Sequence, residues 1–156
     1  MQSNRLFDAL KDSTIFGIFI FQEEGKIVFA NQRFVDILGY SSAEEILGKS
    51  MLDFTPKDLN NLEEIKDIIR RRIKGEAFLL ERRTFLFLSK TKAYIPVSFF
   101  AYTIEYNEKP SGFVLVFDRT KEVSYQKLFC SKPGKSTYCK NTKRRRTFKR
   151  NLQYFG

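Results

Sequence analysis

The sequence contains no histidine and no tryptophan, and its only cysteines are Cys130 and Cys139. Without histidine there is no imidazole acid or base, no His-ligated metal or haem, and no phospho-accepting histidine. Residues 1–129 have no thiol, so cysteinyl adduct chemistry is excluded there; the two remaining thiols are expected to be free. No Gly-rich phosphate loop, nucleophile elbow or metal quartet is present. Glu44 and Glu45 are adjacent, which on a helix turns them about 100° apart, so they do not form a catalytic carboxylate pair. Nothing is placed to carry a reaction, and the chain is not expected to be an enzyme.

Long apolar runs are also missing. None nears the roughly 20 residues that cross a bilayer. Residues 1–12 mix charges and lack the apolar stretch of a signal peptide. The expected compartment is the cytoplasm. Acidic residues are absent from the C-terminal end: residues 130–156 carry 9 Lys and Arg and no acid, whereas residues 1–129 carry 19 basic and 18 acidic side chains. The net charge of +10 therefore belongs to a tail, and the rest is nearly neutral.

What is abundant is phenylalanine, 17 of 156 residues, with 7 tyrosines. That length suffices for one domain with a core, and rigid rings bury much area while leaving corners unfilled. Phe16, Phe19, Phe29, Phe34, Phe54, Phe99 and Phe113 are expected mainly in the core.

Residues 3–11 predict a short amphipathic helix through Leu6, Phe7 and Leu10. Residues 15–22 and 26–30 predict two strands joined at Gly25. Asn31 is placed to cap a helix carrying Phe34, Ile37 and Leu38, which Gly39 ends. A short helix is expected to restart at residues 41–45, capped by Ser41 or Ser42 and stopped by Gly48, and an apolar turn follows at 51–54. Residues 57–74 predict the longest helix, with Leu59, Leu62, Ile65, Ile69 and Ile73 on one face. Strands are expected at 77–89, 93–106 and 113–117. Pro96 implies an edge position or a bulge, and 107–112, with Pro110 and Gly112, implies a turn. Asp118 and Thr120 are expected to cap a helix from about residue 121. Arg70-Arg71-Arg72 and Arg82-Arg83 are flanked by acids and read most simply as solvated charge.

The order is two strands, several helices, then three strands, an α+β arrangement with a five-stranded antiparallel sheet. Several strands are apolar on both faces, so something must cover the second one. The N-terminal helix covers part in this reading, and a second copy of the chain the rest.

These residues resemble a PAS domain. The resemblance is carried by an apolar strand after Gly17, Gly25-x-Ile27, Asn31, Phe34, Gly39-Tyr40-Ser41 and Glu44-Glu45-x-x-Gly48. It continues through Ile95-Pro96-Val97 and Gly112-Phe113-Val114. Asp118-Arg119-Thr120 is similar to the Asp-Ile-Thr at which many PAS domains pass into an output helix. The resemblance covers residues 5–128. It implies a PAS fold with interstrand helices on one sheet face, within a bacterial or archaeal signalling protein such as a histidine kinase of a two-component system or a diguanylate cyclase. The expected division is an N-terminal helix at 1–13, a PAS domain at 14–120, the start of an output helix at 121–129 and a tail at 130–156.

It also implies a pocket between the inner sheet face and the helices, with Asn31, Phe34, Ile37, Phe54, Ile69, Phe99 and Phe113 as candidate lining for a small apolar or aromatic ligand held noncovalently. Asp118 and Thr120 are the expected signal relay, and Leu6, Phe7 and Leu10 the expected homodimer surface. The cofactor is left unknown. Cysteinyl-flavin sensors of this fold carry an Asn-Cys-Arg-Phe-Leu-Gln-like helix, and Asn31-Gln32-Arg33-Phe34-Val35 has no cysteine, so that chemistry is disfavoured, as is His-ligated haem. A purely structural dimeriser is the alternative within the family. The tail, with Lys143-Arg144-Arg145-Arg146, is read as a solvated disordered segment, a truncated or out-of-frame end of a longer gene, or a basic arm. Only the last would make the chain a nucleic-acid-binding protein, an alternative held below the sensory one.

Overall fold

A computed structural model of the chain describes residues 8–58 and 62–123. Residues 8–11 are helical; Leu6 and Phe7 of the expected dimer surface, the tail, and most of the expected output helix lie outside the described residues.

Strand β1, Gly17–Phe21, turns through a 3-10 segment at Glu23–Gly25 into β2, Ile27–Ala30. Gly25 takes φ +74°, a left-handed conformation that costs glycine little. Helix α1, Gln32–Leu38, is capped by Asn31 and closed by Gly39 at φ +78°. A 3-10 turn at Ala43–Glu45 follows, then one at Met51–Phe54. The second is opened by a reciprocal Ser50–Asp53 capping box. Helix α2 is Leu62–Ile73. Then come β3, Leu80–Leu88, β4, Tyr94–Tyr106, and β5, Lys109–Asp118. The sheet has five strands in the order β2-β1-β5-β4-β3, every neighbour antiparallel.

Two expectations are corrected. Pro110 and Gly112 lie inside β5, not in a turn. The chain reverses through Asn107 and Glu108 alone, at φ +50° and +62°, a two-residue hairpin whose handedness suits twisted strands. And β4 is an interior strand. Pro96 is tolerated because the β4–β5 ladder ends one step earlier, at Val97 opposite Asp118. An extended residue points its N and C=O to the same side, so the missing Pro96 donor faces Arg119. The Arg119 N–H donates to the Pro96 carbonyl at 2.8 Å, and the Arg119 carbonyl is instead taken by Val123 N–H, opening the exit helix. The bulge falls on β3, between Arg82 and Phe85.

Alternation sorts the strands into two faces. The inner face holds Phe19, Phe21, Phe85, Phe87, Phe99, Val114 and Val116, all in one core with α1. Phe19 stacks on Phe34 at 4.6 Å between ring centroids, and Phe87 meets both rings edge-on. Gly17 permits this approach: a Cβ there would sit 3.0 Å from the Phe34 backbone. On the outer face Ile18 and Ile20 are fully buried, Phe113, Leu115 and Phe117 are half-buried, and Phe100 and Tyr102 are exposed.

Candidate functional site

A cavity of about 50 Å³ lies between the inner sheet face and α2. The sheet supplies Phe19, Phe21, Phe85, Phe87, Phe99 and Val114; the helix supplies Ile65, Ile68, Ile69 and Arg72. Leu80, Ala101, Met51 and the pair Arg82–Glu64 complete the wall. At roughly 10–15 Å³ per enclosed water, the space matches about three to five water-sized groups, well below the several hundred Å³ of a drug-sized pocket.

Of the residues expected to line a pocket, Ile69 and Phe99 do. Phe34, Ile37 and Phe54 belong to the same core but pack away from the cavity, Phe54 edge-on beneath Tyr40. Phe113 is on the opposite sheet face, because its neighbours Gly112 and Val114 point inward. Asn31 is buried but spent on backbone: Oδ1 accepts from Ile18 N–H at 2.8 Å and Phe34 N–H at 2.9 Å, and Nδ2 donates to the Phe16 carbonyl at 3.2 Å. Its capping reading is the one the geometry favours.

Sequence reasoning missed Arg72. The residue reads as solvated within an arginine run, yet it is 0% exposed. The missed signal is spacing: Ile65, Ile69 and Arg72 are i, i+4 and i+7 on one helix stripe, so cover over the isoleucines also covers the arginine. Nη1 donates to the Phe78 carbonyl and to Thr103 Oγ1, both at 2.9 Å, and Nη2 to the Ala101 carbonyl at 3.2 Å. The guanidinium lies 3.9 Å from the Phe78 ring centroid. Nε is buried with no hydrogen-bond partner among the described residues. Neighbouring cations do have carboxylates: Arg70 with Asp67, Arg71 with Glu76, Arg82 with Glu64. Arg72 has none among the described residues. Burial, and then the charge of Arg71, lowers its pKa to about 10, so the group remains charged at neutral pH.

Arg82 is the second correction to the solvated reading. Its side chain is only 12% exposed, and its pKa is lowered by burial against the opposing effect of Glu64.

At the exit, Asp118 Oδ1 accepts from Thr120 N–H at 2.8 Å and from the Thr120 hydroxyl. Residues 120–123 are helical. The cross-strand ties come from Arg119, unassigned in the sequence reading: besides its backbone bond to Pro96, its Nε donates to Ser98 Oγ at 3.0 Å. Strand β4 thus touches both places, holding Arg72 through Ala101 and Thr103 and the exit through Pro96 and Ser98. Among the described residues no cluster of three or more potential metal ligands occurs, and no helix is long and apolar enough to cross a membrane.

A family model described as a PAS domain matches residues 15–121. No curated protein sequence matches. Among solved structures, the PAS domain of an HTR-like protein from Haloarcula marismortui is 20% identical, with a TM-score of 0.57, over 75% of this chain and 92% of that one. The PAS domain of a Desulfitobacterium hafniense protein is 22% identical, TM-score 0.57, over 71% and 98%. A domain of a sensory box sensor histidine kinase/response regulator from Geobacter sulfurreducens is 18% identical, TM-score 0.54, over 74% and 94%.

Proposed function

Because this chain belongs to the PAS domain family, whose members are typically sensory modules of signal transduction, we propose that it binds a small ligand noncovalently and relays its occupancy to an output domain through the exit helix. The observation that carries the reading is the cavity between the inner sheet face and α2, with a buried charged side chain in its wall. No chemistry is assigned to the module; occupancy changes a packing equilibrium. A ligand that prefers one setting of α2 on the sheet pulls on β4 through Arg72, and β4 fixes Arg119 at the exit. The coupling is as large as the ligand's preference between the two settings. The partners in this reading are a second copy of the chain and the output domain of a protein of the sensor-kinase kind.

The test is a fragment screen on the full chain by methyl and amide NMR. A bound fragment is expected to shift the Ile65 and Ile69 methyl resonances together with the amides of Asp118, Arg119 and Thr120. If no fragment moves Ile69, or if Ile69 moves while the exit triplet stays fixed, the module is a structural dimeriser and the sensing reading fails.

A further inference from the structure

The charge of the cavity wall is unbalanced. Two guanidinium groups, Arg72 and Arg82, face one carboxylate, Glu64, and Glu64 is paired with Arg82 at 3.1 Å. One positive charge is left over, on the group with no access to water. A buried charge satisfied only by carbonyls, a hydroxyl and a ring face is costly to maintain, and removing the cost calls for a counter-charge. The unpartnered Nε–H of Arg72 adds a donor with nothing to donate to. Apart from Arg72 and the Arg82–Glu64 pair the wall is phenyl rings and aliphatic side chains, which favour an alkyl group over a hydrated inorganic ion.

We propose that the cavity takes a short monocarboxylate, its carboxylate neutralising Arg72 and its alkyl end lying among Phe85, Phe99 and Ile69. The proposal rests on the reading of the cavity as a ligand site and names the ligand class. The size agrees: a space for roughly three to five water-sized groups admits an acid such as acetate or propionate and excludes a dicarboxylate or an aromatic acid without rearrangement. A single charge agrees with the single unbalanced cation. The competing account makes Arg72 only a strut that ties α2 to β4 through Ala101 and Thr103. A strut is indifferent to added carboxylate.

The experiment titrates the full chain with sodium propionate, propionamide and sodium chloride at matched ionic strength. It follows the Arg72 Nε–H resonance and the Ile69 methyl by NMR, with affinities from calorimetry. Propionate is expected to bind one to one, move both signals, and bind about tenfold to a hundredfold more tightly than propionamide, the worth of a charge-assisted hydrogen bond. Chloride is expected to move neither. Arg72→Met is expected to erase the preference for propionate over propionamide. Should that variant fail to fold, the wild-type Nε–H response decides alone. If a neutral fragment shifts Ile69 while propionate does not, or if propionamide binds as well as propionate, the carboxylate assignment falls and the sensing reading stands. If no probe of either charge shifts Ile69, both fall. A response to chloride equal to that of propionate makes the site a general anion site and overturns the assignment.

Discussion

At the scale of the residue, Asn31 and Arg72 are both polar and both buried, and only one was legible in the sequence. Asn31 stands directly before an apolar helical pattern, where a side-chain oxygen has a local donor to accept from. Its further bonds, to Ile18 N–H and the Phe16 carbonyl, tie the start of α1 to β1. Replacing Asn31 by Ala removes three hydrogen bonds and strands buried backbone groups, with an expected cost of about 2–4 kcal/mol in urea unfolding. Asn31→Asp keeps both acceptor bonds and loses the donor, so its expected cost is roughly 1–2 kcal/mol. Equal losses for the two variants would show that the acceptor oxygen is not the stabilising atom. Arg72 was not legible because composition argues from neighbours in sequence, and Arg70, Arg71 and Glu76 are solvated partners of ion pairs. Its burial depends on helix phase relative to partners that come later in the chain, Phe78, Ala101 and Thr103.

At the scale of the element, turn chemistry is legible where a glycine carries a positive φ, as at Gly25 and Gly39. It is not legible where glycine serves packing. Gly112 is opposite Phe21 in the β1–β5 register, and a Cβ on it would clash with the far edge of the Phe21 ring. Here the missing side chain makes room for an aromatic on the neighbouring strand, a requirement set by strand pairing and not by local sequence. Pro110 beside it resembles a second turn signal in sequence, while the reversal uses Asn107 and Glu108. Gly112→Ala is expected to lose about 1–3 kcal/mol by overpacking. Phe21→Leu is expected to return part of that loss when combined with it, giving a coupling energy of about 0.5–2 kcal/mol in a double-mutant unfolding cycle. Strictly additive losses would mean that the ring and the glycine do not share the space, and that the β1–β5 register needs another explanation.

At the scale of the whole molecule, element order was legible but strand order was not, because pairing β1 with β5 joins residues near Ile20 to residues near Phe113 across nearly the full domain. That pairing places Ile18 and Ile20 in the middle of the outer face and aligns them with Phe113 and Leu115. Next to them, Phe100 and Tyr102 on β4 are 38% and 46% exposed, and Phe100 meets Phe117 edge-on at 6.2 Å. Ile18 and Ile20 are already covered within the chain, so it is the exposed β4 side of this face that is expected to meet a second copy, and a symmetric pair would bring β4 and β5 of one protomer against those of the other. In the proposed reading, such a dimer would be linked to sensing through β4, which also bonds Arg72 and Arg119. The full chain is expected to sediment as a dimer in analytical ultracentrifugation. Phe100→Glu combined with Tyr102→Glu should make it a monomer with an unchanged amide spectrum in the core, because both side chains point away from the cavity and already reach solvent. A wild-type monomer, or a dimer that survives both charges, would place the partner surface elsewhere and leave the outer face of β4 without that role.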